Sequence, residues 1–374
     1  MTEHDVPAAP EVTAVVPTVG RSPWLVACLR ALRRQQGVRS LEIVVVDQSP
    51  QPLALPPGLA DRVLRPERNL GFAGGTNLGL AAARGALLAT VNDDAVVGPG
   101  WLAALAAALR ADSRAAAVQG VNLMMTLDGL DRGPDSLADG AAPAGDAAAP
   151  ARGATVPAEQ PGEDRTETID GCGLGWNRWW QAIQLGHGEP APLWAATVVE
   201  VFGVSATAAL FRRTALEQVA LGDGQVFDPR LVSYYEDAEL AGRLRAAGFI
   251  ALLVPAVRAR HAGAASGRTA PESRDRLRLV YGNRYLAASR LLGHGLWLRL
   301  PLMLLRDLLD IAGPTALLGS RRTHGTAGRR LRLASVMAGW GRALRQLPAF
   351  AHLGAPTPAP AEVARLSRWP AQPR

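Results

Sequence analysis

Residues Ala86–Val97 read A-L-L-A-T-V-N-D-D-A-V-V, and the fold turns on how they are read. The apolar run Leu87–Val91 predicts a short buried strand that passes directly into Asn92-Asp93-Asp94. In an open α/β sheet, a strand ending in acids delivers them to the carboxyl edge, where ligands bind. Two adjacent carboxylates repel each other unless a cation or a donor lies between them. Mg2+ or Mn2+ suits such oxygen ligands, with substrate phosphates completing the shell. Asn and Asp are also common turn formers, so a solvated turn is the competing reading of these three residues alone.

Upstream, the β-branched run Val12–Val16 leads into Pro17-Thr18-Val19-Gly20, a strand and its loop. Ser22-Pro23 predicts a helix start, with Ser22 as cap and Pro23 at the first position. Leu25, Cys28, Leu29 and Leu32 share one face of that helix, which makes Cys28 a packing residue. Leu41–Val46 is near-continuously apolar, as a parallel strand covered on both faces requires, and ends at Asp47. Strand, helix, strand is a βαβ unit with a right-handed crossover, which brings Asp47 to the same sheet edge as Asp93 and Asp94. Asn69–Gly79, N-L-G-F-A-G-G-T-N-L-G, reads as a glycine-rich loop leading into a helix over Leu80–Arg84. It lacks the G-x-G-x-x-G spacing, a preceding strand and a phosphate-loop lysine. Gly171-Cys-Gly-Leu-Gly175 fails the same test and reads as an ordinary loop.

Downstream, Pro99-Gly100 turns the chain into an Ala-rich helix over Trp101–Arg110, and Ala115–Gln119 reads as a strand. Residues 128–164 are rich in Ala, Gly, Pro and Asp without periodicity, which predicts a flexible insertion. Trp176, Trp179, Trp180 and Trp194 serve either as core or as an apolar platform for a ring-shaped ligand. Val198–Phe211 is strand-like but broken at Gly203, with a short helix from Thr214. In Phe227–Leu240, the acids Glu236, Asp237 and Glu239 crowd the start of a helix that runs to about Ala247. A helix dipole accounts for acids there, but not for Tyr234-Tyr235 beside them. Ile250–Val254 is the last predicted strand, and His261 follows in a basic loop.

Charge divides the 374-residue chain unevenly. All basic residues are arginine; residues 1–257 hold 20 against 28 acids, and residues 258–374 hold 20 against 5. The basic C-terminal third predicts an anionic partner, lipid head groups or nucleic acid. No helix-turn-helix, zinc or RNA-recognition signature supports nucleic acid. Two cysteines without a C-x-x-C pair argue against structural zinc and disulfides.

Four segments together resemble family 2 glycosyltransferases of the GT-A fold, in particular the bacterial rhamnosyltransferase-like branch. They are Val15-Val16-Pro17-Thr18 with Val44-Val45-Val46-Asp47, Asn69-Leu70-Gly71-Phe72-Ala73-Gly74-Gly75-Thr76-Asn77, Val91-Asn92-Asp93-Asp94, and Tyr235-Glu236-Asp237-Ala238-Glu239-Leu240 with Arg243. The resemblance implies an α/β fold with a mostly parallel, Rossmann-like sheet flanked by helices and a helical C-terminal extension. It implies an inverting hexosyltransferase that uses Mg2+ or Mn2+ and a UDP- or dTDP-sugar, rhamnose among the candidates. The acceptor is a hydroxyl of a cell-surface polysaccharide or lipid-linked glycan. Asp237 matches the catalytic base, and Asp94 and His261 match metal ligands. Asn92 stands where the family's D-x-D motif has its first Asp. Pro17, Thr18, Asp47, Asn69, Gly74, Asn77, Asn92 and Asp93 fall at donor-binding positions, Asp47 being the acid that hydrogen-bonds the base. Trp180, Tyr235 and Glu236 fall at acceptor positions. A nucleotidyltransferase and an inactive nucleotide-sugar-binding relative share part of this pattern.

The expected domains are a disordered residues 1–11, a catalytic unit over 12–265, an amphipathic helical extension over 266–350 and a disordered tail over 351–374. Leu291–Leu305 is Leu-rich but interrupted by Arg299 and Pro301, too short an apolar run to span a bilayer. Amphipathic helices with arginine on one side predict either a packed cap or peripheral attachment to anionic lipid. Met1–Pro10 has neither the basic start nor the apolar core of a secretory signal, so a cytoplasmic location at the inner membrane face is expected.

Overall fold

The computed structural model describes residues 9–125, 155–156, 167–191, 196–263, 274–312, 326–351 and 358–368. Strand β1 (Val12–Thr18), helix α1 (Leu25–Arg33) and strand β2 (Leu41–Asp47) form the expected βαβ unit, with Thr18 and Asp47 paired at its carboxyl edge. Short β3 (Arg62–Leu64) extends the sheet beyond β2, and α2 (Gly71–Ala82) packs across it. Strand β4 (Leu87–Val91) runs parallel to β1 on its other side. Then come β5 (Ala95–Val97), α3 (Trp101–Ala111) and β6 (Ala115–Met124).

The next strands are short: β7 (Thr155–Val156), β8 (Ile169–Gly171), β9 (Leu174–Trp176), β10 (Ala182–Gln184), β11 (Ala196–Thr197) and β12 (Val199–Val201). Strand β13 (Ala208–Arg212), helix α4 (Arg213–Gln218), helix α5 (Glu236–Ala246) and strand β14 (Ile250–His261) complete the unit. The main sheet has the order β12-β14-β6-β13-β4-β1-β2-β3, with β5 attached to β14 and β8 to β6. β13 runs antiparallel between β4 and β6. This is the mostly parallel mixed sheet flanked by helices that the sequence predicts.

Side chains alternate across the sheet as the strand period requires. Val12, Ala14 and Val16 join Cys28, Leu29, Trp101 and Leu105 on one face, whereas Val15 and Val46 join Leu80, Leu240 and Leu244 on the other. Cys28 is thus a core residue, as its helix position predicts.

Four local expectations are corrected. The glycine-rich stretch is not a loop: Gly71–Ala82 is helix throughout. Its glycines let the helix lie close on the sheet, because a Cβ at Gly75 would overlap Gln48 and one at Gly79 would overlap Val15. Ser22 does not cap α1, which starts at Leu25; its hydroxyl instead accepts from the Trp24 amide at 3.1 Å and donates to the Asp93 carbonyl at 3.0 Å. Glycines 171–175 sit between and within β8 and β9 rather than in a loop. The last strand extends beyond Val254 to His261, so His261 ends a strand.

After residue 273 the chain is helical: α6 (Arg274–Leu292), α7 (Leu296–Ala312), α8 (Thr326–Ala351) and α9 (Pro360–Leu366). Ala287, Ala288 and Leu291 of α6 share one apolar cluster with Ala238 and Ala241 of α5. Buried Asp307 ties three helices together, accepting from Arg284 and, at 2.5 and 3.0 Å, from Tyr285 Oη and Trp340 Nε1. Within the tail expected to be disordered, Pro360–Leu366 is helical, because Pro360 favours a first turn and Val363 and Leu366 are buried beside Trp176. The expected insertion over 128–164, apart from Thr155 and Val156, lies outside the described residues, as does Trp194. Among the described residues no helix is long and apolar enough to cross a membrane.

Candidate active site

The carboxyl edge of the sheet gathers the acids that the sequence singles out. Strand β4 delivers Asn92-Asp93-Asp94, and the neighbouring start of β13 brings residues 205–207 alongside them: the Asn92 amide donates to the Thr207 carbonyl at 2.8 Å. Asp93 Oδ2 accepts from Thr18 Oγ1 at 2.5 Å, fastening the end of β4 to the end of β1. Burial, and then the field of Asp94, pushes the Asp93 carboxyl up to about 6 despite that hydrogen bond. The buried Oδ1 of Asn92 has no hydrogen-bond partner among the described residues.

Asp94 faces His261 across the sheet edge. β14 pairs with β5 so that His261 lies opposite Ala95, which sets His261 Nε2 3.2 Å from Asp94 Oδ1. The other ring nitrogen, Nδ1, is 2.8 Å from Asp170 Oδ2. Burial opposes a charge on the imidazole, but hydrogen bonds to Asp170 and Asp94 and their fields outweigh it, pushing the ring up to about 10. Asp94 and His261 thus offer a carboxylate oxygen and an imidazole nitrogen, donors that Mn2+ accepts, although no group of three or more His, Cys, Asp or Glu among the described residues is placed to hold a metal ion. Asp170 would then orient the ligating ring from behind, as carboxylates commonly do for metal-bound histidine.

Asp237 stands in the first turn of α5, half-buried. Its Oδ1 accepts from the Ala238 amide at 2.8 Å, and the neighbouring Ser205 hydroxyl and Ala206 amide favour its charged form. Residues 205–207 therefore neighbour Asp237 at one end and bond Asn92, beside the β4 acids, at the other. Burial outweighs these hydrogen bonds and raises the Asp237 carboxyl. Glu236 beside it is buried, its Oε2 lacks a partner among the described residues, and burial followed by the Asp237 charge pushes it up to about 8.

The chain enters α5 through a strained turn. Val232, Tyr234 and Tyr235 all have positive φ, at 65°, 71° and 72°. For a β-branched residue such as Val232 this region is a true outlier, worth about 1–3 kcal/mol of strain. Asn283 of α6, fully buried, holds the turn: its amide nitrogen lies 2.7, 2.9 and 2.9 Å from the carbonyls of Leu231, Ser233 and Tyr234. From the other side, the Ala73 amide of α2 donates to the Val232 carbonyl at 2.9 Å.

An aromatic group lies beside these acids. The ring of Trp176 is 6.0 Å from Tyr235 and 6.3 Å from Trp180, and Arg299 of α7 stacks 5.4 Å over Trp180. Trp176 is buried core, whereas Trp180 and Tyr235 are partly exposed.

The remaining expected positions differ in how free they are. Asp47 is 2% exposed and accepts from Arg65 at 2.6 Å, Leu53 at 3.1 Å and Ser49 at 2.9 Å. Burial would raise it, but these hydrogen bonds hold it below the usual carboxylate range. Asn69 is exposed and Gly74 lies on α2, while Pro17 pairs with Val46 inside the sheet. Asn77 is engaged on all sides: Nδ2 donates to Gln225 and the Phe227 carbonyl, and Oδ1 accepts from the Phe227 amide. Sequence reasoning missed Arg65, Asp170, Ser205 and Asn283. Asp170 carries a weak signal, an acid next to a Gly-rich run; the other three carry none, since only the folded chain brings them to the site.

Residues 13–125 match the family model described as glycosyl transferase family 2. The succinoglycan biosynthesis protein ExoO of Rhizobium meliloti (strain 1021) is 33% identical over 126 residues, which is 32% of this chain and 35% of that protein. The chain thus spans about a third of the length of that curated relative. Among solved structures, GalNAc-T7 with UDP, GalNAc and Mn2+ gives a TM-score of 0.48 at 13% identity, covering 92% of this chain and 59% of that one. The mannosyltransferase PcManGT of Pyrobaculum calidifontis, in complex with GDP-Man and Mn2+, gives 0.42 at 17% identity, covering 96% and 79%.

Proposed function

We propose that the protein is an inverting, metal-dependent glycosyltransferase that moves a sugar from a UDP- or dTDP-linked donor to a hydroxyl of a cell-surface polysaccharide or lipid-linked glycan. Rhamnose is the sugar that the sequence resemblance favours, and the inner face of the plasma membrane is the expected place of work. One observation supports the reading: Asn92, which precedes Asp93 and Asp94, bonds Thr207, and Ser205 and Ala206 of the same short segment neighbour the first-turn carboxylate Asp237, so the residues proposed for cation and base lie along one stretch of chain.

In this mechanism Asp237 takes the proton of the attacking hydroxyl, and its raised affinity for protons suits a general base. The segment 205–207 holds the carboxylate in place, and Trp180, Tyr235 and Glu236 shape the acceptor side. Asp47 receives the base of the nucleotide once it exchanges its bond to Arg65, and Asn92 and Asp93 line the path to the donor ribose and phosphates. Asp94 and His261 would hold Mn2+ or Mg2+, which supplies positive charge to the departing diphosphate.

Thermal-shift measurements with UDP, dTDP and GDP, with and without Mn2+, test the donor side, because a ligand that binds only the native state raises Tm. A Mn2+-dependent rise with UDP or dTDP is expected. Asp237→Asn should keep that rise and lose transfer; a folded protein that responds to no nucleotide would overturn the reading.

A further inference from the structure

Helix α7 is turned inside out. Its charged residues point into the protein: Asp307 is buried against Arg284 and Trp340, and Arg306 pairs with Asp310 at 3.6 Å. Its outward residues are Trp297, Leu298, Pro301, Leu302, Leu305 and Leu308, all apolar, with Leu298 84% and Trp297 65% exposed. Helix α8 lies beside it, joined through Trp340–Asp307 and Arg332–Asp310, and exposes Leu333, Met337 and Leu344. Of the large apolar side chains exposed among the described residues, most lie on these two helices. Ordinary surface helices show the reverse polarity, and apolar surface gathered on one face marks an interaction site.

The charges around this face indicate what covers it. The two acids of α7 are consumed in pairs with Arg284, Arg306 and Arg332, while Arg330 and Arg345 of α8 stand exposed beside Leu333 and Leu344. Outward charge on these helices is therefore positive, within a region holding 20 arginines against 5 acids. Exposed leucines with a tryptophan, flanked by arginine, are the composition of a helix that lies in the plane of an anionic lipid interface. We propose that the outward faces of α7 and α8 seat the chain on an anionic membrane surface, with Trp297, Leu298, Leu302 and Leu305 entering the acyl boundary. The sequence predicts helices with arginine on one side, either a packed cap or a lipid attachment; the fold buries the α7 arginines partly and leaves Leu298, Leu302, Leu305 and Leu308 outward. The inference does not rest on glycosyl transfer, because binding is read without donor or acceptor.

The test uses the full chain and co-sedimentation with vesicles of phosphatidylcholine, alone or with phosphatidylglycerol. Binding to the anionic vesicles, weakened by salt, is expected. Leu298→Glu combined with Leu302→Glu should weaken it by about tenfold or more, with an unchanged circular-dichroism spectrum, since both positions are exposed. Quenching of Trp297 by brominated lipid, read as the difference between the wild type and Trp297→Phe, should accompany binding. Equal binding of the double variant, or none by the wild type, would overturn the proposal. A wild-type dimer that the same substitutions dissociate, without lipid binding, would assign the face to a second copy and overturn it equally.

Discussion

The side-chain amide of Asn283 donates to the carbonyl of Tyr234 at 2.9 Å, so a helix of the C-terminal region grips the turn from which Asp237 projects. The same nitrogen approaches the Leu231 and Ser233 carbonyls, and Arg342 donates to its Oδ1 at 3.2 Å. Three positive-φ residues in four are a conformation the chain leaves if released. Asn283→Leu should therefore relax the turn and misplace Asp237. The expected outcome is a fall in kcat with the donor KM little changed, beside a stability loss of about 1–3 kcal/mol from carbonyls left unpaired. Steady-state kinetics with a denaturation curve separates the two effects. An equal fall in activity and in folded fraction would leave Asn283 only a structural role.

Glu236 and Asp237 make stability and activity depend on pH in opposite directions. Glu236 titrates at about 8 in the fold against an ordinary 4.5, so between those values the folded state holds a proton that the unfolded state has lost. Stability contributed by the protonated group is full below about 4.5 and is lost as pH rises toward 8. Glu236→Gln should remove this slope, and its Tm should gain on the wild type between pH 5 and 8. Activity should rise with pH as Asp237, held above the ordinary carboxylate range by burial, ionises. Because Glu236 is uncharged below about 8, Glu236→Gln should leave the position of that rise nearly unchanged, as a pH–rate profile would show.

Asp170 supports the imidazole of His261 from its far side. Asp170→Asn should keep the fold and weaken Mn2+ by about 10–100-fold, measured by calorimetry or by the spin signal of free Mn2+. Asp94→Asn should weaken it further. Unchanged Mn2+ affinity in Asp170→Asn would show that His261 needs no such support.

Gly79 sits where α2 comes closest to β1. Gly79→Ala drives a methyl into Val15 and should cost about 1–3 kcal/mol as overpacking. Combining it with Val15→Ala should recover part of the loss, and urea denaturation of the single and double variants measures both.

The contrast between these residues shows what the sequence could convey. Leu87–Val91 and Leu41–Val46 announce buried parallel strands because an apolar run bounded by turn residues has few other uses. The edge acids Asp47, Asp93 and Asp94 follow at once from where such strands end. The glycines of 71–79 misled, since low helix propensity points to a loop. Close packing on Val15 and Gln48 overrides it, and that distance is invisible to a local reading. Ser22 misled in the same way: its hydroxyl is satisfied by Asp93, 71 residues on. Ser205 and Asn283 lay beyond reach for one reason. Each acts through a partner distant in the chain, and only the strand order brings them together.

That strand order also governs when the site can exist. Asp94, Asp170 and His261 come from three well-separated parts of the chain, and β14, which carries His261, sits between β6 and β12 while also receiving β5. A nascent polypeptide still on the ribosome holds the carboxylates of Asp94 and Asp170 but not the imidazole of His261 until residue 261 has emerged. On the proposed reading, cation capture would report completed sheet assembly: a chain halted before its last strand has the sequence motifs and no place to load the ion.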